Sequence, residues 1–116
     1  MKKGSLLLVV AAVIVFAFLA RAQEKTFSGS IMDSQCASMG GHESMYNDEL
    51  KNPKDCTLAC VKEGGTFVLY DAATQAIYLL DDQKKPEPLA GEKVTVTGTY
   101  DDSTQTIHVT NIVAAN

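Results

Sequence analysis

Side chains that can bind a soft metal ion are concentrated in one part of the sequence, between residues 36 and 60. Thiolates and thioethers are typical ligands of Cu⁺, and thiolates and imidazoles are typical ligands of Zn²⁺. The same cysteines can form a disulfide in an oxidising compartment. The donors are Cys36, Met39, His42, Met45, Cys56 and Cys60.

A structural disulfide is the first interpretation of the three cysteines. Cys56 and Cys60 are four residues apart, so on a helix they share one face and can both approach Cys36. A bond between the two helical cysteines would distort the helix, which favours Cys36 with either of them. That bond closes a loop of about 20 residues and stabilises the fold by about 3 kcal/mol. The odd number of cysteines leaves one thiol over.

A metal site is the second interpretation. Cys36, His42, Cys56 and Cys60 supply a Cys3His set, which suits tetrahedral Zn²⁺. Met39 together with the thiolates would instead favour Cu⁺. The spacings C-x5-H and C-x3-C are not those of a common zinc motif. Thiol redox activity is a third interpretation, although the chain lacks the C-x-x-C spacing typical of it.

The first 22 residues have the layout of a secretory signal peptide. Lys2 and Lys3 are followed by an uncharged apolar run at 6–20, and Ala20 and Ala22 precede the expected cleavage point. An uncleaved membrane anchor is the alternative, but a full span needs about 20 apolar residues. We therefore predict a signal peptide at 1–22 and a single domain at 23–116, located in the periplasm or secreted.

Cleavage would make the domain strongly acidic. It removes three of the ten basic residues and none of the fourteen acidic ones, leaving a net charge near −7. An acidic surface repels phosphate backbones, so nucleic acid is excluded as a partner, and no membrane contact is expected after cleavage. A chain of this size buries a modest core, which a disulfide or a metal ion would help to stabilise.

Alternating apolar and polar residues predict five strands, at 26–33, 66–71, 76–82, 93–100 and 106–113. We expect them to be antiparallel and to close into a small barrel, with Gly29 and Gly98 at bends or bulges. The segment DCTLACVKEGG predicts a helix over 55–65, capped by Asp55 or Thr57. The proline-containing connector at 83–91 should place Leu89 in the core from a short helical turn.

The run TFVLYDAATQAIYLLDD and the later LAGEKVTVTGTYDDSTQTIHVTNI resemble the OB-fold type of small exported bacterial domain, with FSGSIMDS as its first strand. The pattern DSQC, His, CTLACVKEGG and FVLYD is similar to a group of small secreted bacterial proteins without an assigned function. These likenesses imply a mainly β, five-stranded OB-like barrel with a short cysteine-bearing helix inserted between strands 1 and 2.

The resemblance implies an exported, non-catalytic binding or structural module of the bacterial envelope, whose partner is an envelope ligand or protein. We expect a disulfide among the cysteines to stabilise it. A soft-metal binding protein is the alternative function, and Zn²⁺ or Cu⁺ is then the only cofactor expected. No set of residues predicts catalysis, because Ser34 lies in no nucleophile motif. His108 is expected to be an exposed strand residue.

Overall fold

The computed structural model describes residues 23–40 and 52–115. The predicted signal peptide and the segment 41–51, which contains His42 and Met45, lie outside the described residues. Within the described ranges, no helix has the length and apolar character needed to cross a membrane.

The described chain is mainly β, as predicted, with helical segments inserted between its first two strands. The order along the chain is β1 (Lys25–Asp33), α1 (Ser34–Ser38), α2 (Pro53–Lys62), β2 (Phe67–Asp71), β3 (Ala76–Leu80), a 3-10 turn (Glu87–Leu89), β4 (Lys93–Asp101) and β5 (Thr106–Ala114).

The five strands form one sheet that closes into a ring in the order β1, β2, β3, β5, β4. Four of the neighbouring pairs are antiparallel, but β3 and β5 run parallel. The expectation of a wholly antiparallel sheet was therefore wrong. A parallel pair needs a crossover, and here the connector, the 3-10 turn and β4 separate the two strands in sequence.

The core lies inside the ring, where alternate residues of the strands meet. In β4 the pattern is regular, with Val94 and Val96 fully buried and their neighbours less so. Ile31, Leu69 and Ile107 enter the same core from three other strands. The period-2 alternation that predicted β4 is thus also its burial pattern, whereas the first four residues of β2 are all buried.

Gly98 marks an irregularity of the sheet, as expected from the sequence. The register between β4 and β5 shifts between Thr97 and Gly98. A Cβ atom at Gly98 would overlap the carbonyl oxygen of His108 across the strand pair. The close approach of the two backbones requires glycine at this position.

The connector between β3 and β4 contributes to the core as predicted. Its 3-10 turn ends at Leu89, which packs partly buried against the core, and Ala90 follows fully buried. Gly91 then donates a backbone hydrogen bond to the carbonyl of Ile31 at 2.8 Å. A Cβ atom at Gly91 would overlap the backbone of Pro53 and Lys54, so the connector lies directly against the start of α2.

Candidate metal centre

Cys36 is positioned by a short helix that begins where β1 ends. Asp33 is the N-cap residue of α1, and its carboxylate accepts hydrogen bonds from the backbone N–H groups of Gln35 at 2.9 Å and Cys36 at 3.2 Å. Ser34 ties the helix to the start of β2, because its N–H donates to the carbonyl of Thr66 at 2.9 Å. The first turn therefore places the Cys36 side chain inside the protein, with no exposed surface.

Cys56 and Cys60 are positioned by α2, which runs from Pro53 to Lys62. The predicted caps at Asp55 and Thr57 were wrong, because the helix starts earlier. Asn52 is the N-cap, and its side-chain oxygen accepts a hydrogen bond from the Asp55 N–H at 2.9 Å. Proline at the first position of a helix has no N–H to leave unsatisfied, which favours a start at this point.

The three cysteine sulfurs form one buried cluster. The Sγ atom of Cys36 lies 3.9 Å from that of Cys56 and 4.0 Å from that of Cys60. All three ligand atoms lie within 4.8 Å of one another. Cys36 and Cys56 are completely buried, and Cys60 is 8% exposed. The cluster therefore brings together α1 and α2, which lie on either side of the segment 41–51 in the sequence.

The separations of the Cys36 sulfur from the other two suit thiolates on one soft metal ion, and the third separation lies within 4.8 Å. With Zn–S bonds of about 2.3 Å, two sulfurs lie about 3.8 Å apart in a tetrahedral site and about 4.0 Å apart in a planar trigonal one. A disulfide requires a much shorter separation of about 2.05 Å. The cysteines are free thiols here, so the predicted disulfide is not formed and its pairing stays a prediction.

The electrostatics of the cluster favour the protonated thiols of Cys36 and Cys60. Burial raises the pKa of Cys36 far above its usual range, and the hydrogen bond and negative charge of Asp33 raise it further. Burial also raises the pKa of Cys60, and the charge of Asp33 adds to that effect. Because a metal ion binds thiolates, loading the site must release protons.

Of the two other predicted ligands, Met39 lies away from the sulfurs and His42 lies outside the described residues. Met39 follows α1 as its C-cap, and its side chain is 56% exposed, on the surface rather than among the buried sulfurs. His42 lies in the segment outside the described residues, so its role stays a prediction. Three protein ligands would leave one position of a tetrahedral site open.

Two residues at the cluster were not assigned to the site by sequence reasoning. Asp33 is a fully buried carboxylate beside the thiols. Thr57 is fully buried on the same helix as Cys56 and Cys60, and its hydroxyl has no hydrogen-bond partner among the described residues. A sequence signal existed for Asp33 alone, since aspartate before a short helix is a typical N-cap.

Acidic residues that lie near the ends of β3 and β4 have hydrogen-bond partners close to them in the structure. Asp82 accepts hydrogen bonds from the backbone N–H groups of Lys84 at 2.9 Å and Lys85 at 3.0 Å, and Asp101 accepts from Ser103 at 3.0 Å. His108 is exposed, as predicted, and its Nδ1 atom lies 3.2 Å from Asp81. The hydrogen bonds of Asp82 and Asp101 stabilise the turns that follow β3 and β4, and Asp81 contacts β5 through His108.

Comparison with known proteins adds no relationship, because no family model, curated protein or solved structure matches this chain.

Proposed function

We propose that this protein is an exported, non-catalytic binding module of the bacterial envelope that holds one soft metal ion, Zn²⁺ or Cu⁺, at Cys36, Cys56 and Cys60. The fold proposed for it is an OB-like barrel. One observation carries the metal assignment: three buried sulfurs lie within 4.8 Å of one another, and the Cys36 sulfur lies from the other two at separations that match a shared ion. His42 is the proposed fourth ligand for Zn²⁺.

The surroundings of the sulfurs support a cation. Asp33 is fully buried, and no lysine, arginine or histidine forms an ion pair with it in the described part of the chain. A buried carboxylate without an opposite charge is costly, and a bound cation would offset part of the negative charge that Asp33 and the thiolates have together. The export of the domain and its acidic surface fit a module that acts outside the cytoplasm.

Metal stoichiometry tests the proposal. The chain 23–116 is reduced, loaded with Zn²⁺ or, without oxygen, with Cu⁺, and passed through a desalting column before metal analysis. We expect about one ion per chain for the wild type and a large loss of affinity for Cys36→Ser, because one of three thiolates is removed. Val68→Ala is the matched control, since Val68 is fully buried in a separate cluster with Met32, Ala37 and Tyr70.

A disulfide staple is the second candidate function of the cluster. It is favoured by the position of Cys36, whose sulfur is in contact with both other sulfurs. Counting alkylated thiols by intact mass separates the two candidates in protein isolated without reductant. One free thiol per chain supports the staple, and three free thiols after chelation support the metal site.

A further inference from the structure

Cys36 is common to every disulfide that the cluster can form without disturbing α2. Its sulfur lies 3.9 Å from that of Cys56 and 4.0 Å from that of Cys60, so neither partner is favoured by distance. A direct bond between Cys56 and Cys60 would have to span one turn of a regular helix, where the side chains of i and i+4 are held by the backbone.

The three cysteine residues differ in their access to solvent. Cys36 and Cys56 have no exposed surface, whereas Cys60 is 8% exposed. An oxidant in solution therefore reaches the cluster at Cys60 first. The rate of thiol–disulfide exchange depends on the access of the attacking thiolate, so this difference sets the order of events.

We infer that the cluster is a redox-gated metal site, in which a small disulfide oxidant enters at Cys60, Cys36 completes an internal disulfide, and the bound ion is released. This inference rests on the proposed function. It accounts for the odd number of cysteines in a compartment predicted to favour disulfides. Two of the three form the internal bond on oxidation, and the third remains a thiol.

The reaction is two successive exchanges with an external disulfide, RSSR. The Cys60 thiolate attacks one sulfur of RSSR, forming a mixed disulfide and expelling RS⁻. The Cys36 thiolate then attacks the Cys60 sulfur, forming the internal bond and expelling the second RS⁻. Two cysteines lose two electrons, RSSR gains them, and two RSH molecules form with protons from solvent or from the cysteines. Only Cys56 is left as a thiolate ligand, so the ion leaves.

The remaining thiol can continue the exchange. Cys56 lies 3.9 Å from the Cys36 sulfur, so it can attack Cys36 and release Cys60 as a thiol. The oxidised protein is therefore a mixture of the Cys36–Cys60 and Cys36–Cys56 bonds. No Cys56–Cys60 bond is expected, for the geometric reason above.

Oxidised glutathione is the probe for the test. It is added to the zinc-loaded chain, and zinc release is followed with a chromophoric chelator while disulfides are counted by mass. We expect one ion released for each internal bond formed. Cys56 and Cys60 lie on the same tryptic peptide, 55–62, so the free thiol is alkylated first and located by fragmentation. Free Cys56 and free Cys60 should both be found.

Two matched variants test the order of attack in the reduced, metal-free chain. Cys60→Ser should slow oxidation by about tenfold or more, because the accessible thiol is lost. Cys56→Ser, which also removes one sulfur, should oxidise at nearly the wild-type rate and give only Cys36–Cys60. Far-UV circular dichroism confirms that both variants are folded, and the wild-type mapping needs no variant.

Three results would overturn the inference: zinc retained after the internal bond has formed, a Cys56–Cys60 bond as the product, or equal oxidation rates for Cys60→Ser and the wild type. Absence of zinc binding in the reduced wild type would instead contradict the proposed function. In that case disulfide mapping of the metal-free chain still tests the exchange among the three cysteines. A mixture of Cys36–Cys60 and Cys36–Cys56 bonds would support it, and a Cys56–Cys60 bond would contradict it.

Discussion

Replacing Asp33 with alanine should weaken the fold at the point where it places Cys36. The substitution removes the acceptor of two backbone hydrogen bonds, from Gln35 and Cys36, at a position with no access to water. Loss of an N-cap costs about 0.5–2 kcal/mol, and a hydrogen bond to a charged group contributes about 1.5–3 kcal/mol. We therefore expect Asp33→Ala to lower the free energy of unfolding by about 2–3 kcal/mol.

Asp33→Asn keeps a side-chain oxygen that can cap α1 but removes the negative charge. Asparagine caps helices about as well as aspartate, so this variant should lose about 1 kcal/mol or less. It also removes the negative charge that raises the pKa of Cys36 and Cys60. Both pKa values should fall, so a larger fraction of thiolate is present at pH 8. Cys60, which is partly accessible, should be alkylated faster than in the wild type.

Urea unfolding, followed by far-UV circular dichroism in reductant and chelator, measures these differences without a disulfide or an ion. Asn52→Ala is the control, because Asn52 caps α2 at an exposed position with one bond of 2.9 Å to a backbone N–H. It should cost about 1 kcal/mol. An Asp33→Ala variant no less stable than Asn52→Ala would refute the structural role assigned to the buried carboxylate.

Three further predictions concern other parts of the fold. Thr57→Val should raise the free energy of unfolding by about 1 kcal/mol in urea titrations, because it removes a buried hydroxyl without a partner in the described residues, whereas Thr57→Ser should not. Gly98→Ala should lower the melting temperature by several degrees or prevent folding, since its Cβ would overlap the His108 carbonyl; an unchanged melting curve would contradict the register shift. Backbone hydrogen bonds lower the pKa of Asp82, and hydrogen bonds from Ser103 lower that of Asp101. Their stabilisation is therefore complete above the ordinary carboxyl pKa and is lost as the pH falls through the lower folded value. Acid titration of Asp82→Asn should show a smaller loss of stability below about pH 4 than the wild type.

The strands were predictable because their signal is local. Alternation in β4 and β5 determines which side chains enter the core, and the structure confirms both strands, each of which ends one residue later than predicted. The parallel pairing of β3 and β5 was not predictable in this way, because it depends on how the ring closes. That closure is a property of all five strands together.

The three cysteines of the site were predictable from the sequence, and the buried Asp33 beside them was not assigned to it. The i, i+4 spacing of Cys56 and Cys60 indicated a shared helical face, and Cys36 was the remaining sulfur that could reach it. Sequence could not choose a disulfide partner for Cys36, and the structure shows why, since the two candidate sulfurs are almost equally near. The start of α2 was misjudged although Asn52-Pro53 is itself a recognisable helix start.

X-ray absorption at the zinc edge of the reduced, zinc-loaded chain reports the atoms bound to the ion and so tests the three-cysteine site itself. We expect a shell of three sulfurs at about 2.3 Å from zinc, reduced to two in Cys36→Ser. A shell of nitrogen and oxygen atoms alone in the wild type would contradict a metal site built from Cys36, Cys56 and Cys60.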